Sequence, residues 1–101
     1  MSLDDFRRLA LTLPGAVEGG HMGHADFRVG KKGFATLGYP DAKWAMVKLT
    51  VAQQAEVCAG VGFEPVKGGW GKRGATLVEL AAVEEAAALE ALRLAWGNVA
   101  T

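Results

Sequence analysis

The chain has little of what most reactive centres require. Its 101 residues contain one cysteine, Cys58, one serine, Ser2, and two histidines, His21 and His24. A lone cysteine closes no disulfide within the chain, and a lone serine just ahead of a helical pattern serves better as a cap than as a nucleophile. No apolar run approaches the roughly 20 residues that span a bilayer, so no membrane association is expected. The chain opens Met1-Ser2-Leu3-Asp4-Asp5 rather than with a basic and then apolar leader, which points to a reducing cytoplasm as the compartment.

Net charge is also missing, with eleven basic residues against eleven acidic. The balance is uneven along the chain. Between residues 27 and 73 stand Arg28, Lys31, Lys32, Lys43, Lys48, Lys67, Lys72 and Arg73 against Asp41, Glu56 and Glu64, a net +5 offset by −5 on the two ends. Segregation of this kind can hide a basic face on a neutral molecule.

What is present is a core. Half the residues are hydrophobic and 22% are charged, too apolar for a disordered chain. The length suits a single domain over 1–101. Ser2 followed by Asp5 resembles a capping box, and Leu3, Phe6, Leu9, Ala10 and Leu13 recur at helical spacing, so a first helix is expected over about 3–13, stopped by Pro14-Gly15. Gly19, Gly20 and Gly23 read as a loose turn around both histidines.

Three strands follow, around Phe27–Val29, Phe34–Leu37 and Trp44–Leu49, joined by turns at Gly30–Gly33 and Gly38–Asp41. Thr50 is a candidate cap for a helix over about 51–59, on which Val51, Ala55 and Cys58 share a face, making Cys58 a small buried hydrophobe. Phe63–Val66 and Thr76–Leu80 are further strands around the glycine-rich, basic loop Lys67–Gly74. Glu84 and Glu85 open a last helix to about residue 97, with Leu89, Leu92, Trp96 and Val99 as its apolar stripe, and Trp44 and Trp96 are expected in the core. The order αβββαββα predicts an α+β fold, a two-layer, mainly antiparallel sheet covered by helices.

Chemistry is sparse. His21 and His24, with Glu18 or Asp26, are the only start of a metal site, and no second His or Cys pair completes a tetrahedral set. Glu18 with either histidine is the only local acid–base candidate. The Lys67–Gly74 loop lacks the Gly-Lys-Ser/Thr ending of a phosphate loop. Neither enzymatic activity nor a cofactor or metal is therefore expected, and Glu18, His21, His24 and Arg28 are kept as a candidate polar site. The loop is better suited to binding: glycines allow close approach, Lys67, Lys72 and Arg73 can neutralise phosphates, Trp70 can stack on a base, and Lys31 and Lys32 offer a second basic tip. The same composition also fits an ordinary exposed turn with Trp70 folded back on the core.

Several motifs recur in order along nearly the whole chain. Leu13-Pro14-Gly15, Glu18, Gly23-His24, Phe27-Arg28-Val29, Phe34-Ala35-Thr36-Leu37, Lys48-Leu49, Gly62-Phe63-x-Pro65 and Gly71-Lys72-x-Gly74 together resemble the MmcQ/YjbR-like family. The resemblance implies a secretion-chaperone-like α/β fold and a DNA-binding role, with Lys31-Lys32 and the Lys67–Gly74 loop in the positions of two basic wings. Ala25 stands where the family usually has proline, and Ala75 where it often has tryptophan, Trp70 coming earlier in a longer loop.

The resulting expectation is a small non-enzymatic DNA-binding protein using Lys31, Lys32, Lys67, Trp70, Lys72 and Arg73, weakly and with strong salt dependence. The alternative is a protein-interaction or chaperone-like module, including a homodimer.

Overall fold

The computed structural model describes residues 1–21 and 23–100, with His21 given by its backbone alone. The elements are α1 (Leu3–Leu11), β1 (Ala16–His21), β2 (His24–Val29), β3 (Lys32–Leu37), β4 (Trp44–Lys48), α2 (Val51–Val57), β5 (Phe63–Pro65), α3 (Gly69–Lys72), β6 (Ala75–Glu79) and α4 (Glu85–Val99). The six strands form one antiparallel sheet in the order β1, β2, β3, β4, β6, β5. The expected α+β class holds, with two elements added to the expected order. Residues 16–21, expected as part of a turn, are strand: Gly19 and Gly20 lie within β1, while Gly15 and Gly23 take the left-handed φ values of +73° and +82°. The Lys67–Gly74 connection contains one helical turn, α3.

Local chemistry explains the helix starts. The Ser2 hydroxyl accepts from the Asp5 amide at 3.0 Å and the Asp5 carboxylate accepts from the Ser2 amide at 2.9 Å. Thr50 and Gln53 repeat this box at the start of α2. Two orphan amides are satisfied at each helix start, and Asp4 and Asp5 add negative charge at the positive end of α1.

One face of the sheet is covered by α1 and α4, with Val57 of α2 packed beside them. Phe6, Phe27, Phe34, Val47, Val78 and Leu92 are fully buried there, the Phe6 and Phe27 rings meeting at 6.4 Å and tilted by 58°. A β-bulge shapes this core. Pairing passes from Phe27 opposite Ala35 to Arg28 opposite Gly33, leaving Phe34 as the extra residue, so Phe34 and Ala35 are both buried although neighbours in sequence.

Some expected burial is not found. Trp96 is half-buried, its indole donating to the Pro14 carbonyl at 2.8 Å, and the deepest positions of α4 are Ala88, Ala91, Leu92 and Ala95. The buried stripe of α4 is thus carried mainly by alanines, with the expected Leu89, Trp96 and Val99 only half-buried. Trp44 is half-buried on the opposite face of the sheet. On α2, Val51 and Ala55 are exposed, and Cys58 is a half-buried C-cap. The inward residue of α2 is instead Gln54, whose amide donates to the Gly71 and Ala75 carbonyls at 2.9 Å each.

Candidate nucleic-acid interface

Strand register decides where the basic residues lie. β2 ends and β3 begins at the Gly30-Lys31 turn, where Gly30 supplies φ +62° for a two-residue hairpin with Val29 opposite Lys32. β4 runs against β3 and ends at Lys48, which pairs with Ala75 at the start of β6. β5 runs against β6 and ends at Pro65 opposite Thr76, so the stretch carrying Lys67, Trp70, Lys72 and Arg73 begins and ends at this same end of the sheet. Lys31, Lys32, Lys48, Lys67, Lys72 and Arg73 are all exposed there. From β3 to β6 is two strand spacings, about 10 Å, though Lys32, opposite Val29, stands on the helix side of the sheet and Lys48 on the other.

Six of the eleven acidic residues lie toward the other end, together with the cations Lys43, Arg7 and Arg8. Glu79 closes β6, Asp41 lies between β3 and β4, and Glu84 and Glu85 begin α4. Asp4 and Asp5 begin α1, whose preceding N-terminal amine donates to the Leu80 carbonyl just beyond β6. At the loop end, by contrast, none of the six cations forms an ion pair among the described residues.

The uncovered face of the sheet connects the two ends. Asp26, Thr36, Met46, Leu77 and Glu64 stand opposite one another in one cross-strand row. Val66, Ala75 and Leu77 are buried beneath half-buried Tyr39, Trp44 and Met46. A groove of about 510 Å³ opens over this row, lined by His24, Asp26, Thr36, Tyr39, Met46, Lys48, Val66, Trp70 and Ala75. The His24 and Tyr39 rings meet edge to face at 5.9 Å on one wall, and Trp70, 61% exposed, forms the other.

The Trp70 wall is held from behind. Gln54 ties its carbonyl neighbours, and Gly71 passes so close to Val66 that a Cβ there would lie 1.6 Å from the Val66 carbonyl oxygen. Only glycine fits that position. The close approach keeps the turn tight while Trp70 itself stays out in solvent, so the alternative of Trp70 folded back on the core is not met.

The charges within the groove are unequal. Asp26, its side chain 13% exposed, is held by Arg28 in a two-pronged pair, Nε to Oδ1 at 2.9 Å and Nη2 to Oδ2 at 3.0 Å, and Arg28 also donates to the Gly20 carbonyl. The hydrogen bond from the Asp26 carboxylate raises the guanidinium pKa above its already high value. A side chain at Gly19 would collide with this pair, its Cβ 2.9 Å from Asp26 Oδ1. Lys48 forms no ion pair among the described residues, and its ammonium lies beside Gly33.

The candidate polar site does not assemble. Glu18 stands opposite Phe27, on the helix side of the sheet, and accepts from Arg7 of α1 at 3.0 Å. Arg28 and His24 are on the groove side, so β-strand alternation separates Glu18 from both. His21 pairs with His24 in register, but its side chain lies outside the described residues. No group of three His, Cys, Asp or Glu among the described residues is arranged to hold a metal. Burial first, and the Glu64 carboxylate second, push the Cys58 thiol up from its ordinary pKa, opposite to what a reactive thiolate needs.

Sequence reading missed Tyr39, Thr36, Met46 and Lys48 as members of a site. Their only advance signal was the alternation of Met46 and Lys48 with the core residues Ala45 and Val47, which puts both on the second face.

Among the described residues no helix is long and apolar enough to cross a membrane. A model of the YjbR family matches residues 11–98. A search of curated proteins and a search of solved structures each return no match.

Proposed function

The chain belongs to the YjbR family, and we propose that it is a non-enzymatic, cytoplasmic protein that binds nucleic acid weakly through the basic end of its sheet. One observation carries this reading: the register of β3, β4, β5 and β6 gathers Lys31, Lys32, Lys48, Lys67, Lys72 and Arg73 at one end, where none of them forms an ion pair among the described residues. A polyanion approaching this neutral molecule is drawn to that cationic end. Phosphate contacts by lysine and arginine release condensed counterions, so affinity falls steeply with salt.

About five phosphate contacts on duplex DNA give a log–log salt slope near −4 to −5. Fluorescence anisotropy of a labelled duplex, titrated with protein at several salt concentrations, measures it. Replacing Lys72→Ala together with Arg73→Ala lowers the magnitude of the slope by about 2. Both side chains are exposed, so folding stability should change by less than about 0.5 kcal/mol. A flat salt response, or an unchanged slope in the double variant, refutes the proposal.

A further inference from the structure

Electrostatics accounts for the basic end and leaves the groove beside it unexplained. Folding has left an exposed tryptophan, a tyrosine and a methionine around a cavity of about 510 Å³, within the size range of small-ligand sites. The groove also has a charge preference. Its carboxylate, Asp26, is already neutralised by Arg28, whereas its ammonium, Lys48, has no ion-pair partner among the described residues. An occupant with a flat apolar part and a negative group fits both features.

We propose that the groove seats one unpaired nucleotide of a single-stranded nucleic acid, its base against Trp70 and its phosphate at Lys48. This rests on the nucleic-acid reading above and narrows it from any strand to an unpaired one. Trp70 lies between Lys67 and the Lys72-Arg73 pair in sequence, so a strand whose base enters the groove has its neighbouring phosphates beside cations. Stacking on an aromatic side chain requires an open base face, which a paired and stacked base in a duplex does not offer. Met46 and Tyr39 supply apolar surface to the rest of the base, and Thr36 offers a hydroxyl on the groove floor.

The test compares a labelled single-stranded oligodeoxythymidine with a labelled duplex of the same length, by anisotropy at low salt. The single strand is expected to bind at least about ten-fold more tightly. Trp70→Ala should weaken it by about ten-fold, the scale of one lost stack, with duplex affinity unchanged, and Trp70→Phe should recover most of the loss. Lys48→Gln, at an exposed position, should lower the single-strand salt slope by about 0.7. Equal affinities for the two probes, or a Trp70→Ala effect shared by both, would overturn the groove proposal while leaving the basic-end reading in place. Salt-independent binding, or no binding of either probe, removes both.

Discussion

The two faces of the sheet are built from the same strands and serve opposite ends. On the covered face, Phe27, Phe34, Val47 and Val78 are shut away from water beneath α1 and α4. On the other, Trp44, Met46 and Tyr39 are only half-buried and Trp70 stands largely in solvent. Apolar area removed from water stabilises the fold, whereas apolar area left beside water remains available to a partner. Alternation along β4 makes the contrast at single-residue resolution: Ala45 and Val47 are buried, and Met46 and Lys48 face the groove.

The sharpest way to break the comparison is to truncate one side chain on each face. Phe27→Ala removes a fully buried ring in contact with Phe6 and is expected to cost about 3–5 kcal/mol, seen as a lower urea midpoint in circular dichroism. Met46→Ala on the open face should cost well under half of that. Equal losses would mean that both faces are core, and the groove would lose its meaning.

An intermediate effect is expected at Gln54, which ties α2 to the turn beside the groove. Its amide reaches from α2 to the carbonyls that flank the Trp70 turn. Each of the two carbonyls keeps a backbone donor, from Val66 and Gly74, so Gln54→Ala is expected to destabilise by only about 1 kcal/mol. Hydrogen exchange should show the loss concentrated in residues 67–75, and an even loss across the sheet would contradict the link.

The smallest effect concerns the cap that holds α1 on the covered face. The Ser2 amide, then the Arg8 guanidinium and the Ser2 hydroxyl, lower the Asp5 pKa from 3.8 to about 2. Because the folded pKa is depressed, the contribution is complete above about pH 4 and is lost as pH falls toward 2. Thermal melts should lose stability through that window, and Asp5→Asn should flatten the loss slightly. Asp5 is exposed to solvent, so the difference will be modest.

Sequence patterns revealed the elements whose signals are local. The caps at Ser2 and Thr50, the breaks at Pro14-Gly15 and the turn at Gly30 are each specified by neighbours in the chain, and the structure contains them. β1 escaped because Ala16-Val17-Glu18-Gly19-Gly20-His21 has the composition of a turn, and becomes strand only through its pairing with β2. α3 is a single turn, too short to carry a helical period. The groove was illegible for another reason: His24, Thr36, Tyr39, Met46 and Trp70 are separated along the chain and meet only through sheet register. The six basic residues were visible one by one, but their common end was not.

The bulge at Phe34 works as a parity switch. Downstream of it, odd-numbered residues of β3 such as Ala35 and Leu37 point to the helices; upstream, Gly33 stands with Arg28 on the groove side. Deleting this one residue would restore strict alternation and force the Gly30–Lys32 tip to choose between its present pairing and its present orientation. The hairpin that carries Lys31 and Lys32 is therefore far less tolerant of a change in length than of a change in sequence, and its aim over the basic end is set by an odd number.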